Sequence, residues 1–162
     1  MFFKKKPTKS AVLFVCLGNI CRSPLAEAAF QQAAENAGLD VVVDSAGTGG
    51  WHVGEAPDPR AQAPAKRHGT DIAQLKARQL KSADFLLFTH IIAMDSSNLA
   101  DIQRMKPARS DTELHLLLDF AEGRAGQSVA DPYYSGDAAF DVTWADAWAG
   151  AQGLVAYLKT KS

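Results

Sequence analysis

The chain has 162 residues, a net charge of −1 at neutral pH, and 47% hydrophobic residues. That hydrophobic content excludes a disordered polymer, and the length suits one domain with room for a real core. The balanced charge offers no basic field for nucleic acid and no acidic interaction tail.

Met1 to Lys9 reads as a flexible extension, with residues 10–162 forming a single domain. The lysines Lys4-Lys5-Lys6 are followed by Pro7, Thr8, Lys9 and Ser10, where a secretory signal would place an apolar run. Phe85 to Met94 is apolar but short, and Thr89 and His90 interrupt it, so it does not read as a membrane span. A cytoplasmic protein without membrane attachment is expected.

Val12 to Pro24 (VLFVCLGNICRSP) is the most informative segment. A buried strand leads into Cys16, and the loop Leu17-Gly18-Asn19-Ile20-Cys21 must curl tightly to bring Arg22 back over the sulfur. Gly18 and Asn19 are residue types that tolerate left-handed backbone angles. Ser23 suits an N-cap and Pro24 the first helical position, so a helix should aim its unpaired N–H groups and positive dipole end at the loop. That is an anion site, and it favours a thiolate at Cys16. The planar guanidinium of Arg22 can hold two phosphoryl oxygens at once. Arginine at about 6% of residues would put a Cys-x5-Arg spacing in roughly one chain in eight by chance, so the weight rests on the strand before it and the helix after it.

An amphipathic helix should follow over Leu25 to Ala37, then a strand over Asp40 to Ser45 and a glycine-rich loop over Gly47 to Gly54. The loop lacks GxGxxG spacing, and no GxxxxGK[ST] occurs, which argues against nucleotide binding. Asp58 to His68 and Ser96 to Met105 read as helices capped by Asp58 and Ser96. Periodicity leaves Ser82 to Met94 open between strand and buried helix. Glu113 to Leu118 reads as a strand, and Ala138 to Lys159 as a final helix whose core contacts are Phe140, Trp144, Trp148, Leu154, Val155 and Leu158. Strands alternating with helices imply an α/β fold with a parallel sheet. Both cysteines lie in the loop, so they do not staple distant parts of the chain, and none of the four histidines sits at metal-ligand spacing. No metal and no cofactor is expected.

The segment VCLGNICRSP closely resembles the active-site motif of the low-molecular-weight protein tyrosine phosphatases. The resemblance extends through Asp44-Ser45-Ala46-Gly47-Thr48, Trp51-His52-Val53-Gly54, Pro57-Asp58-Pro59-Arg60-Ala61, His68-Gly69, Ala77-Arg78-Gln79, Ala93-Met94-Asp95 and Asp131-Pro132-Tyr133-Tyr134, and covers roughly residues 11–158. It implies a three-layer, doubly wound, flavodoxin-like fold around a central four-stranded parallel sheet, with a short helix from Ser82 and a strand ending near Met94. It also implies hydrolysis of phosphotyrosine proteins, peptides and small aryl phosphates through a phosphocysteine intermediate. Cys16 would be the nucleophile, Arg22 the phosphate clamp and Asp131 the general acid and then base. Phosphate, sulfate and vanadate are the expected active-site anions. Trp51 and Tyr133 match the aromatic walls of the pocket, and Tyr134 fits core or rim. In the family this tyrosine pair can itself be phosphorylated.

The resemblance further implies a network of Asn19, Ser45 and Ser23 that holds the loop, with Ser23 bonded to the sulfur. Cys21 reads equally as a thiol that captures oxidised Cys16 or as a filler of buried space. The histidine that often joins this network is missing: Ala73-Gln74-Leu75-Lys76 precede Ala77, and Thr89 stands where the family often has aspartate. Two other readings are an arsenate reductase of the same fold, which would need further cysteines after Cys21, and a non-catalytic phosphate-binding module, which would have lost Cys16, Arg22 or Asp131.

Overall fold

The structure, a computed structural model, describes residues 9–161. Apart from Lys9, the expected N-terminal extension lies outside the described residues. Strand β1 (Ala11–Cys16) is buried along its whole length. Its alternating side chains feed two cores: Val12, Phe14 and Cys16 enter one, and Ala11, Leu13 and Val15 the other. A strand apolar on both faces must be central. β1 pairs on one side with β2 (Val42–Gly47) and on the other with β3 (His90–Ala93), and β3 pairs with β4 (Glu113–Leu116). All pairs are parallel, in the order β2-β1-β3-β4.

Helices α1 (Arg22–Asn36), α2 (Pro59–Arg67) and α5 (Asp137–Lys159) pack with the first core. Helices α3 (Asp84–Leu87) and α4 (Ser96–Met105) close the second. The expected doubly wound, four-stranded arrangement is borne out. Phe14, Phe30 and Phe140 are fully buried, and the Phe14 and Phe30 rings lie 5.4 Å apart. Each such side chain contributes about 1.5–3 kcal/mol of burial free energy. Of the expected α5 contacts, Trp148 alone is only partly buried.

Several boundaries differ from the sequence reading, for physical reasons. The second strand is set by its register with β1, which pairs Ala46 with Val15 and Gly47 with Cys16, so it runs to Gly47 rather than Ser45. The fourth strand stops at Leu116, and Leu117–Phe120 tightens into a 3-10 helix beneath α5. Glycines permit that contact: a Cβ on Gly153 would lie 1.8 Å from the Phe120 carbonyl oxygen, and one on Gly150 2.6 Å from Leu117 Cγ. Helix α4 is capped by Asp95, which accepts from the Asn98 N–H at 2.7 Å, and not by Ser96. Helix α1 begins at Arg22, so Ser23 lies inside it and does not cap it. Pro24 occupies the third helical position, where a missing N–H is still harmless.

From β1 the chain passes outward to β2 and then crosses to β3 on the other side of β1. The loop after β1 therefore sits at the point where winding direction reverses, the place where open parallel sheets bind ligands. No helix among the described residues is long and apolar enough to cross a membrane.

Candidate active site

Cys16 stands at the abrupt end of a buried strand. Cys16 is 3% exposed and begins the tight loop that runs into α1. Asn19 makes the turn with φ +58°, the only positive φ of a non-glycine among the described residues. Asparagine tolerates this region because its short side chain can bond locally. Gly18 does not share it; its missing side chain instead admits His52, whose Cδ2 would lie 3.0 Å from a Cβ there. Helix α1 has no side-chain cap, which leaves donors at its N-terminus for an anion.

Two groups address the sulfur directly. Ser23 Oγ lies 3.0 Å from Cys16 Sγ, and the Asn19 backbone N–H donates to it at 3.3 Å. The hydroxyl lost to capping thus addresses the Cys16 sulfur. Behind the loop, Asn19 Nδ2 donates to Ser23 Oγ at 2.8 Å and to Ser45 Oγ at 2.9 Å. Asn19 Oδ1 accepts from the Arg78 backbone N–H at 3.0 Å. The Arg78 guanidinium holds Asp44 at 3.1 Å and the buried Asp84 at 3.0 Å, tying the segment before β3 to β2. Gly47 fits against the loop so closely that a Cβ would stand 2.7 Å from the Leu17 carbonyl oxygen.

Among the described residues, no histidine joins this network. Ser45 Oγ instead donates to Glu27 Oε1 at 2.7 Å. Burial pushes the Glu27 carboxyl up to about 7, with Asp44 adding to the rise and the Ser45 hydrogen bond and Arg78 opposing it. Thr89 lies at the far end of β1, where it bonds both Ala11 N and Ala11 O at 2.9 Å, so its replacement of an aspartate does not touch the loop.

Arg22 is 3% exposed and firmly aimed. Its Nη1 donates to Asp95 Oδ2 at 2.6 Å and to the Val129 carbonyl at 3.0 Å. Its Nη2 lies 3.8 Å from Asp131 Oδ2, on a carboxylate that is 44% exposed. The segment after Asp131 is secured from α2: Arg60 donates to the carbonyls of Tyr133 and Ser135 at 3.0 and 3.1 Å while paired with Asp58 at 2.9 Å.

These parts meet in one cavity of about 310 Å³. Cys16, Arg22 and Asp131 line it together with Leu17, Gly18, Ile20 and Cys21 of the loop, and Trp51, His52, Tyr133 and Tyr134 form its rim. Trp51 is 72% exposed and folds over Gly49, where any side chain would collide with its ring. Tyr133 and Tyr134 meet edge to face at 4.9 Å, and Tyr134 is 95% exposed, which places it on the rim rather than in the core. Cys21 is buried, and burial, reinforced by Asp58, raises its thiol to about 12. It is a neutral thiol, leaving Cys16 as the sulfur that Ser23 and Asn19 address.

The residues read from the sequence as part of the site line this cavity, except Asn19, Ser23 and Ser45, which are linked by hydrogen bonds behind the loop. Asp95, Arg78, Arg60 and Glu27 carry roles that the sequence reading did not assign. Only Glu27 had a local signal, an acid four residues after Ser23 on the same face of a helix whose neighbours are small and apolar.

Residues 11–162 match the family model described as low molecular weight phosphotyrosine protein phosphatase. The chain is 49% identical over 132 residues to the low molecular weight phosphotyrosine protein phosphatase of Schizosaccharomyces pombe, covering 80% of this chain and 84% of that one. The solved structure of YfkJ from Bacillus subtilis superposes with TM-score 0.88 at 37% identity, covering 98% and 99% of the two chains. A protein tyrosine phosphatase from Entamoeba histolytica, solved with Hepes in its active site, matches with TM-score 0.88 at 32% identity, covering 94% and 98%. A family model matched over residues 11–162, with a relative 49% identical over 80% of the chain, shows that the chain belongs to the low-molecular-weight protein tyrosine phosphatase family.

Proposed function

We propose that this enzyme hydrolyses phosphotyrosine and other aryl phosphate monoesters in two steps through a phosphocysteine at Cys16. The observation that carries the reading is the convergence of Cys16, Arg22 and Asp131 on one aromatic-rimmed cavity. In the first step Cys16 Sγ attacks phosphorus while Arg22 and the loop N–H groups hold the phosphoryl oxygens. Asp131 protonates the departing phenolate, whose ring stacks between Trp51 and Tyr133. In the second step Asp131 takes a proton from water as it attacks the phosphocysteine, releasing phosphate and restoring the thiolate. Hepes, found in the active site of the Entamoeba relative, carries a sulfonate group whose three oxygens resemble those of a phosphoryl group, and phosphate, sulfate and vanadate suit the same cradle here.

Two free cysteines, one of them the nucleophile, suit a reducing compartment and therefore the cytoplasm. Cys21 borders the same cavity, which supports its capture of an oxidised Cys16 as a disulfide. The test is hydrolysis of an aryl phosphate in chelator-treated buffer by wild type, Cys16→Ser and Asp131→Asn. Cys16→Ser abolishes turnover, and Asp131→Asn slows it by about two to four orders of magnitude. Equal rates in all three proteins contradict the mechanism.

A further inference from the structure

The hydrogen bonds behind the loop can run in only one direction. Asn19 Oδ1 accepts from the Arg78 backbone N–H at 3.0 Å, which fixes the amide so that its nitrogen faces the serines. Both hydrogens of Asn19 Nδ2 are then engaged, one by Ser23 Oγ at 2.8 Å and the other by Ser45 Oγ at 2.9 Å. Each serine is an acceptor there and must send its own hydrogen elsewhere. Ser23 has Cys16 Sγ at 3.0 Å, while the Ala46 carbonyl at 3.5 Å is too distant to compete. Ser45 has Glu27 Oε1 at 2.7 Å.

We propose that Glu27 is a positioning residue for the nucleophile. By taking the Ser45 hydrogen it keeps Ser45 an acceptor for Asn19, and so keeps the Ser23 hydroxyl aimed at Cys16. Glu27 is 8% exposed and borders a second cavity of about 320 Å³ that shares no lining residue with the first. Without an acceptor there, the Ser45 hydroxyl would be stranded or would turn its hydrogen against the Asn19 amide. Both outcomes are costly in a buried site. The carboxyl can accept from Ser45 through Oε1 whether neutral or ionised, so the arrangement persists across its titration. The charged groups around it are Asp44 on β2, Arg78, and Lys76 on the cavity wall. In this chain Leu75 also borders that cavity, and Glu27 supplies the acceptor.

The inference rests on the proposed role of Cys16, and its test separates the two. Glu27→Met keeps the volume and removes the acceptor, whereas Glu27→Gln keeps an acceptor. Two readouts are taken: alkylation of Cys16 by iodoacetate, which needs no phosphoryl transfer, and steady-state hydrolysis of an aryl phosphate. Glu27→Met lowers the alkylation rate and kcat each by about tenfold while KM changes by less than about twofold, and Glu27→Gln restores both. Ser45→Ala, which removes the same bond from its donor end, reproduces the Met variant, and the double variant is no worse than either single one. A folded Glu27→Met protein with wild-type alkylation and kcat overturns the proposal, as does a Gln variant as impaired as the Met variant. If Glu27→Met does not fold, wild-type alkylation in Ser45→Ala overturns it instead. Alkylation that responds as stated in a protein that hydrolyses no aryl phosphate would sink the phosphatase reading and leave the positioning role standing.

Discussion

Replacing Glu27 with glutamine should stabilise the protein more at alkaline than at acid pH. The folded state raises this carboxyl from 4.5 to about 7, chiefly by burial. Between those values the folded protein keeps a proton that the unfolded chain has already released. Stability from this group is therefore complete below 4.5 and is lost as pH rises through about 7. The full loss is ~3 kcal/mol, of which about 1 kcal/mol has already gone by about pH 5. Glutamine has the same shape and nothing to ionise, so its advantage over wild type should widen by ~2 kcal/mol between about pH 5 and about pH 8. Urea unfolding of both proteins at the two pH values measures this directly. A constant difference, or one that narrows with pH, would refute the assignment of a buried, proton-holding carboxyl.

Gly153→Ala should destabilise the fold by about 3 kcal/mol or more, because the new methyl meets the Phe120 carbonyl, which is backbone and cannot rotate away. An unchanged melting temperature would show that α5 does not rest on the 3-10 helix so closely. Arg60→Ala frees the carbonyls of Tyr133 and Ser135 and should lower kcat about tenfold, with Cys16 alkylation unaffected. Loss of alkylation as well would place Arg60 with the loop rather than with the acid. Cys21→Ser should keep hydrolysis within about threefold of wild type in reducing buffer, but should lose the activity that dithiothreitol restores after peroxide treatment. Equal recovery of both proteins would assign Cys21 to packing alone.

The cradle was readable because it is local. Cys16, Asn19, Arg22 and Ser23 lie within one short stretch of chain, the strand before them follows from a continuous apolar run, and the helix after them from the Ser-Pro opening and periodicity. Ser23 shows where such reading stops: a good N-cap type was diverted to the sulfur, a competition that only the folded loop decides. Asp131 and Trp51 came from resemblance, since an Asp-Pro turn or a loop tryptophan has no distinctive local signature. The Asp95 clamp on Arg22 bridges a sequence separation of 73, beyond what any window can register. Arg78 is similar, holding Asn19 through its backbone and Asp44 and Asp84 through its side chain. Strand ends also escaped, because β2 stops where β1 stops offering partners. The missing histidine left the support of the loop open at the level of sequence, and the structure places Glu27 against Ser45 in that network.

The most direct measurement is to quench the enzyme with denaturant during turnover of an aryl phosphate and locate the phosphoryl group by peptide mass mapping. The account predicts phosphate on the peptide bearing Cys16, accumulating further in Asp131→Asn if the second step slows more than the first, and absent from Cys16→Ser. Continued hydrolysis with phosphate on another residue, or on none in both the wild type and Asp131→Asn, would contradict it.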